Sequence, residues 1–278
     1  MNAPLEISGL GDILDRFDAF LIDQFGVLRD GRAPYPQAAP TLSALKTAGK
    51  RNIILSNSGK RSHENSVRLA ALGFDPASWD WFLTSGETAW LIMAEEAEHA
   101  RRKCLLISRD GDTSPIDGLD IERTDDAHEA DIVMIAASEG DIYPISYYET
   151  LLAPAARVGR PCLCTNPDKV MLTRNGTTFG AGRIAELYEK LGGTVRWIGK
   201  PFPDIYAQAR KFLEGIDPAR ICCIGDSIEN DILGARNAGF ASLLVTTGIL
   251  DHTSAAGREA LYEKHGATPD FVAPMFRM

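Results

Sequence analysis

Short apolar-rich runs alternate with amphipathic stretches along this chain. The runs occupy residues 19–22, 52–55, 103–107, 131–136, 161–164, 194–198, 221–224 and 242–245. Runs this short and this apolar predict strands covered on both faces. Between them, residues 37–48, 63–72, 184–191 and 230–238 carry helical patterns, as with Leu42 and Leu45. Each pattern stops at a glycine: Gly49, Gly73, Gly192 and Gly239. A glycine just past the last helical residue is the expected terminator. Alternation of strand and helix predicts an α/β fold, a parallel sheet with helices on both faces. A last short strand is expected at Phe271-Val272-Ala273, and the charged stretch 95–102 reads as a solvated helix face.

Composition narrows the class. The chain has 278 residues, 45% hydrophobic and 24% charged, which are ordinary globular values. Its length suggests two domains and a core that needs no disulfide staples. A net charge of −9 and a pI near 5.1 argue against a nucleic-acid partner, which calls for a basic face, and against docking on anionic lipid. No window is apolar for long enough to span a membrane. The first eighteen residues carry Asp12, Asp15 and Asp18 and no apolar run, so neither a signal nor a transit peptide is expected. The five cysteines are odd in number in a long chain, which predicts reduced thiols and a cytoplasmic location. Cys162 and Cys164 stand too close for a zinc knuckle and have no second pair nearby.

In open α/β sheets, function gathers at the carboxyl ends of strands. Four predicted strands are followed at once by chemistry-bearing residues: Asp23-Gln24-Phe25-Gly26-Val27-Leu28, Ser56-Asn57-Ser58-Gly59, Gly199-Lys200-Pro201, and Gly225-Asp226-Ser227-Ile228-Glu229-Asn230-Asp231. Singly, each reads as a turn or a helix cap. Jointly they bring three carboxylates, a hydroxyl and a lysine to one sheet edge. Acids that converge cannot all ionise cheaply without a cation, and a hard divalent ion such as Mg²⁺ prefers oxygen ligands. A lysine and a hydroxyl beside that ion suit a phosphoryl group. The set therefore points to phosphoryl transfer with an aspartate nucleophile.

These four motifs, in this order, resemble those of the haloacid dehalogenase-like hydrolase superfamily. The resemblance is to its class IIA, NagD-like branch, through Asp30-Gly31, Pro34-Tyr35-Pro36, Thr165-Asn166-Pro167-Asp168 and Gly180-Ala181-Gly182. It runs from about Phe17 to Gly248. It implies a Rossmann-like core with an inserted α/β cap of the C2 type and a phosphatase acting on a small phosphorylated metabolite. Carried over residue by residue, it implies that Asp23 attacks phosphorus, Ser56 binds a phosphoryl oxygen and Lys200 neutralises the group and holds Asp23. Mg²⁺ would be held by Asp23, the Phe25 carbonyl, Asp226 and Asp231. Asn57, Asn166 and Asp168 are candidate substrate contacts, with an Asn-Pro-Asp turn as the plain alternative for the last two. Ser56 and Lys200 stand much farther apart than the other neighbouring motifs, which places the cap at 85–182 and the core at 1–84 and 183–278. The resemblance leaves a cap-mediated homodimer open.

The chain departs from the pattern at Phe25. The superfamily's phosphatases carry a second Asp there, which protonates the leaving group and then activates water. A phenyl ring cannot carry a proton, and loss of such help costs about 10²–10⁴ in rate. Three readings follow: a phosphatase with another acid or an undemanding leaving group; a low-turnover module that binds phosphate ligands; or a dehalogenase. The superfamily's dehalogenases have an aromatic residue at this place but work without Mg²⁺, which would leave Asp226 and Asp231 little purpose.

Overall fold

The computed structural model describes residues 3–96, 101–173 and 176–278, so the solvated face expected at 95–102 lies partly outside the described residues. In chain order the strands are β1 (Leu5–Glu6), β2 (Ala19–Asp23), β3 (Arg51–Ser56), β4 (Trp81–Thr84), β5 (Arg102–Ile107), β6 (Ile121–Thr124), β7 (Ile132–Ile135), β8 (Pro161–Cys164), β9 (Val170–Thr173), β10 (Gly176–Phe179), β11 (Thr194–Trp197), β12 (Ile221–Gly225), β13 (Ala241–Val245) and β14 (Phe271–Ala273). The α-helices are α1 (Ala38–Thr47), α2 (Ser62–Ala71), α3 (Ser85–Glu95), α4 (Ile145–Arg157), α5 (Ala181–Lys190), α6 (Pro203–Phe212), α7 (Leu233–Ala238) and α8 (Ala255–His265). Each run read as a strand from the sequence lies on one of them. The chain divides into two compact units.

The first unit comprises Met1–Ser56, His63–Leu83 and Lys200–Met278. Its sheet has the order β1-β14-β13-β12-β2-β3-β4, and the pairs from β1 to β3 are parallel. β2 and β12 are buried along their whole length. Alternate residues feed opposite faces, as a period of two requires. Phe20, Ile22, Cys222 and Ile224 pack with Leu42 and Leu45 of α1, whereas Ala19, Leu21, Ile221 and Cys223 pack with Ile205 and Ala209 of α6. Each large apolar side chain buried in this way contributes about 1.5–3 kcal/mol.

All four glycines read as helix stops adopt positive φ: Gly49 at 76°, Gly73 at 93°, Gly192 at 93° and Gly239 at 74°. At the end of α1 the Gly49 N–H donates to Lys46 O at 3.0 Å and the Lys50 N–H to Leu45 O at 3.0 Å. That closure needs a left-handed residue at position 49, where a Cβ would be strained. The helical pattern at 230–238 is broken in two. A π-type turn at Ile228–Ile232 precedes α7.

The second unit comprises Asn57–Ser62 and Thr84–Gly199. Its parallel sheet has the order β11-β8-β7-β5-β6, and β9 and β10 form a separate antiparallel pair. Residues 183–199 were expected with the core and instead fold here. β11 pairs with β8 from Thr194↔Pro161 to Trp197↔Cys164, and Ile184, Ala185 and Tyr188 of α5 share a core with Cys162 and Cys164. The boundary expected at 182 follows Gly180 and Gly182, which lie inside this unit. They are close-packing residues: a Cβ on Gly180 would lie 2.2 Å from Asp168 O, and one on Gly182 2.2 Å from Pro167 O. Among the described residues, no helix is long and apolar enough to cross a membrane.

Candidate active site

In the first unit the chain runs from β2 outward to β3 and β4, and later from β12 outward to β13 and β14. The strand order therefore reverses between β2 and β12, and the crevice beyond that pair is the expected ligand site of such a sheet. Asp23 is the last residue of β2, and Asp226 follows β12 directly. Asp231 comes back to the same place through the π-type turn, whose start is capped by Ser227 Oγ accepting from the Asn230 N–H at 3.1 Å. Gly225 allows this return. A Cβ there would sit 2.0 Å from the Asp231 carboxyl carbon.

Lys200 lies among these acids and is 4% exposed. Its ammonium donates to Asp23 Oδ1 and, at 2.7 Å, to Asp231 Oδ1. Asp231 Oδ2 accepts from the Ser227 N–H at 3.0 Å, and Asp226 Oδ2 from the Ile249 N–H at 2.8 Å. One ammonium does not balance three carboxylates. Burial pushes the Asp23 carboxyl well above its ordinary range; Lys200 pulls it back, and Asp231 and Asp226 push it further up. Burial and then the Asp231 charge lift Asp226 to about 7. Burial disfavours the Lys200 ammonium, but Asp23 and Asp231 outweigh it and hold the lysine above its ordinary value.

Ligand oxygens of Asp23, Asp226 and Asp231 all lie within 4.8 Å of one another. An all-oxygen donor set with surplus negative charge fits a hard divalent cation such as Mg²⁺. Two glycines shape the niche. A Cβ on Gly26 or on Gly248 would lie 2.0 Å from Asp226 Oδ2.

Ser56 ends β3, beside β2 in a register that pairs Asp23 with Leu55, and is buried. Phe25 follows two residues after Asp23. The residue is 49% exposed, with the Arg29 guanidinium 4.9 Å from the ring centroid. Asn57, Asn166 and Asp168 belong to the second unit. There the Asn57 side-chain amide donates to Asp168 Oδ1 at 2.9 Å, and Asn166 Oδ1 accepts from the Asp168 N–H at 3.2 Å. The latter is the side-chain turn that the Asn-Pro-Asp sequence allows.

Comparison with known proteins bears on this arrangement. A family model described as haloacid dehalogenase-like hydrolase matches residues 20–122, and a second HAD-like hydrolase model matches residues 197–277. The chain belongs to the haloacid dehalogenase-like hydrolases. Chronophin of Homo sapiens is 26% identical to this hydrolase over 264 residues, covering 87% of this chain and 85% of its own length. A p-nitrophenyl phosphatase from Archaeoglobus fulgidus superimposes with a TM-score of 0.76 at 26% identity, covering 93% of this chain and 96% of its own. A glycerol phosphate phosphatase from Mycobacterium tuberculosis, solved in complex with magnesium, gives a TM-score of 0.76 at 25% identity over 94% of this chain and 76% of its own.

Sequence reasoning overlooked the loop after β13. Thr247, Gly248 and the Ile249 N–H of this hydrolase crowd the Asp226 carboxylate and the Gly26 backbone. The available signal was position. Thr246-Thr247-Gly248 directly follows the strand next to β12, and carboxyl ends of adjacent strands share one crevice.

Proposed function

We propose that this hydrolase cleaves small phosphoric monoesters through an aspartyl-phosphate at Asp23, with Mg²⁺ as cofactor. The observation that carries the reading is the Asp23–Asp226–Asp231 triad, three clustered buried carboxylates of which Asp23 and Asp231 share the Lys200 ammonium. The names of relatives support the substrate class, since two of the similar structures are described as phosphatases. Mg²⁺ would be held by Asp23, Asp226, Asp231 and the Phe25 carbonyl, and bound there it would offset negative charge on the phosphoryl group.

The chain's own groups divide the work. Asp23 attacks phosphorus and the ester oxygen departs. Lys200 orients Asp23 and faces the phosphoryl oxygens with positive charge. Ser56 donates a hydrogen bond to one of them. Asn57, Asn166 and Asp168 are the proposed further substrate contacts, and the bond between Asn57 and Asp168 orients those two side chains.

Phe25 sets the limit. Asp30, the next carboxyl in sequence, does not stand in as a proton donor. Its carboxylate accepts from the N–H groups of Arg32 and Ala33, both at 2.6 Å, which hold its pKa below the ordinary range. This arrangement favours esters whose leaving group departs with little protonation. The same exposed Phe25 residue is the one observation favouring a second reading, a module that binds phosphate ligands with little turnover. The buried acid triad speaks against dehalogenation, which would leave it without purpose.

A panel of phosphate esters with Mg²⁺, including p-nitrophenyl phosphate, together with the acyl phosphate acetyl phosphate, separates the readings. Release that EDTA and Asp23→Asn both abolish supports the phosphatase. Phosphate binding without release from any ester supports the module, and chloride release from 2-chloropropionate without metal supports the dehalogenase.

A further inference from the structure

We infer that Thr247 is a positioning residue for the metal ligands of this hydrolase, clamping the turn after β2 to the loop after β13. The inference rests on the metal site proposed above and adds a residue that none of the four motifs contains.

The loop after β13 is tied down at successive points. The Thr246 N–H donates to Ala273 O at 3.1 Å, at the end of the neighbouring β14. The Thr247 hydroxyl donates to the Gly26 carbonyl at 2.5 Å. Two residues on, the Ile249 N–H donates to Asp226 Oδ2. The loop therefore touches both sides of the niche, the backbone next to Phe25 and the carboxylate of Asp226.

Its backbone fits closely against both the Asp226 carboxylate and the Gly26 backbone. A Cβ on Gly248 would lie 2.0 Å from Asp226 Oδ2 and 2.5 Å from Gly26 Cα. Packing this close holds only while the two segments keep their register. The Thr247 hydroxyl supplies the side-chain link that fixes it. Gly26 itself has φ of 85°, and its N–H is engaged by Arg29 O at 2.8 Å. With the carbonyl of Gly26 held by Thr247 and its N–H held by Arg29, the peptide that follows Phe25 has one orientation. The Phe25 carbonyl, a proposed ligand, is part of that peptide. Partners that orient first ligands in this way change metal affinity by about 10–100-fold when removed.

The test measures Mn²⁺ binding to the full chain by electron paramagnetic resonance, with the melting temperature of the metal-free protein as the second readout. Thr247→Val is expected to weaken Mn²⁺ binding by about 10–100-fold, and Thr247→Ser, which keeps the donor, to restore it. Wild-type affinity in Thr247→Val overturns the inference. So does a lowered melting temperature with unchanged affinity, which marks Thr247 as a plain structural clamp. If Thr247→Val does not fold, Thr247→Ala is read in the same way. Absence of saturable Mn²⁺ binding in the wild type, or binding that Asp226→Asn leaves intact, overturns the metal site itself and this inference with it.

Discussion

Lys200 donates to Asp231 Oδ1 at 2.7 Å while its ammonium also holds Asp23, so one buried cation joins the end of β2 to the turn after β12. Removing one partner of a buried ion pair costs about 3–5 kcal/mol, because the other charge is left uncompensated. Lys200→Met should lower the urea midpoint of the metal-free protein accordingly. The loss should be larger in mildly alkaline than in mildly acidic buffer, because acid lets Asp23, whose pKa is raised, take up a proton. A midpoint unchanged at both would remove Lys200 from this role.

Asp226 titrates near 7 in the metal-free fold, against an ordinary value of 3.8. Between those values the folded chain holds a proton that the unfolded chain has lost, so this group makes metal-free stability fall as pH rises through that window. Mg²⁺ takes the ionised carboxylate, so binding releases the proton. The rise in melting temperature with saturating Mg²⁺ should therefore be greater at about pH 8 than at about pH 6. Equal rises at both would show that Asp226 does not couple protons to metal.

Gly225 borders Asp231 so closely that a Cβ would fall 2.0 Å from its carboxyl carbon. Gly225→Ala should cost about 1–3 kcal/mol by overpacking. It should also weaken Mg²⁺ binding by moving Asp231, as read by calorimetric titration. Unaltered stability and affinity together would mean that the π-type turn relaxes freely.

Phe25→Asp restores a carboxyl where phosphatases of the superfamily carry one. If absence of that acid limits turnover, hydrolysis of alkyl phosphates should rise by up to about 10²–10⁴, and that of p-nitrophenyl phosphate by much less. The check is the ratio of kcat values for the two ester types. An equal or absent gain would show that Phe25 is not where proton transfer is lost.

Much of this fold was legible in the chain because the signals were local. Residues 19–22 and 221–224 are apolar at every position or nearly so, and buried central strands of a parallel sheet need that. The glycines that stop helices were legible because a left-handed residue is a demand of the backbone alone. Less was legible in α3, α4, α6 and α8 and in the short β4 and β6, whose apolar residues make sense only against their neighbours. Among the described residues β4 borders only β3, and the two middle residues of β6 are exposed. The boundary expected near residue 182 came from motif spacing, which does not show that β11 pairs with β8 and keeps residues 183–199 in the second unit.

By itself, the sequence placed Asp23, Ser56 and Asp226 at the carboxyl ends of strands, and hence at one edge of a parallel sheet; the strand before Lys200, β11, belongs to the other unit's sheet, which no local pattern revealed. Strand ends are set by local hydrophobicity, and parallel strands carry their carboxyl ends to the same side. Only the tertiary structure decided that β2 and β12 are neighbours and that Asp231 returns through a π-type turn to share Lys200 with Asp23. Only there, too, does a hydroxyl more than two hundred residues away in sequence hold the Gly26 carbonyl. These are long-range pairings. They depend on which surfaces bury each other and how far apart buried charges come to rest, and no local pattern encodes either.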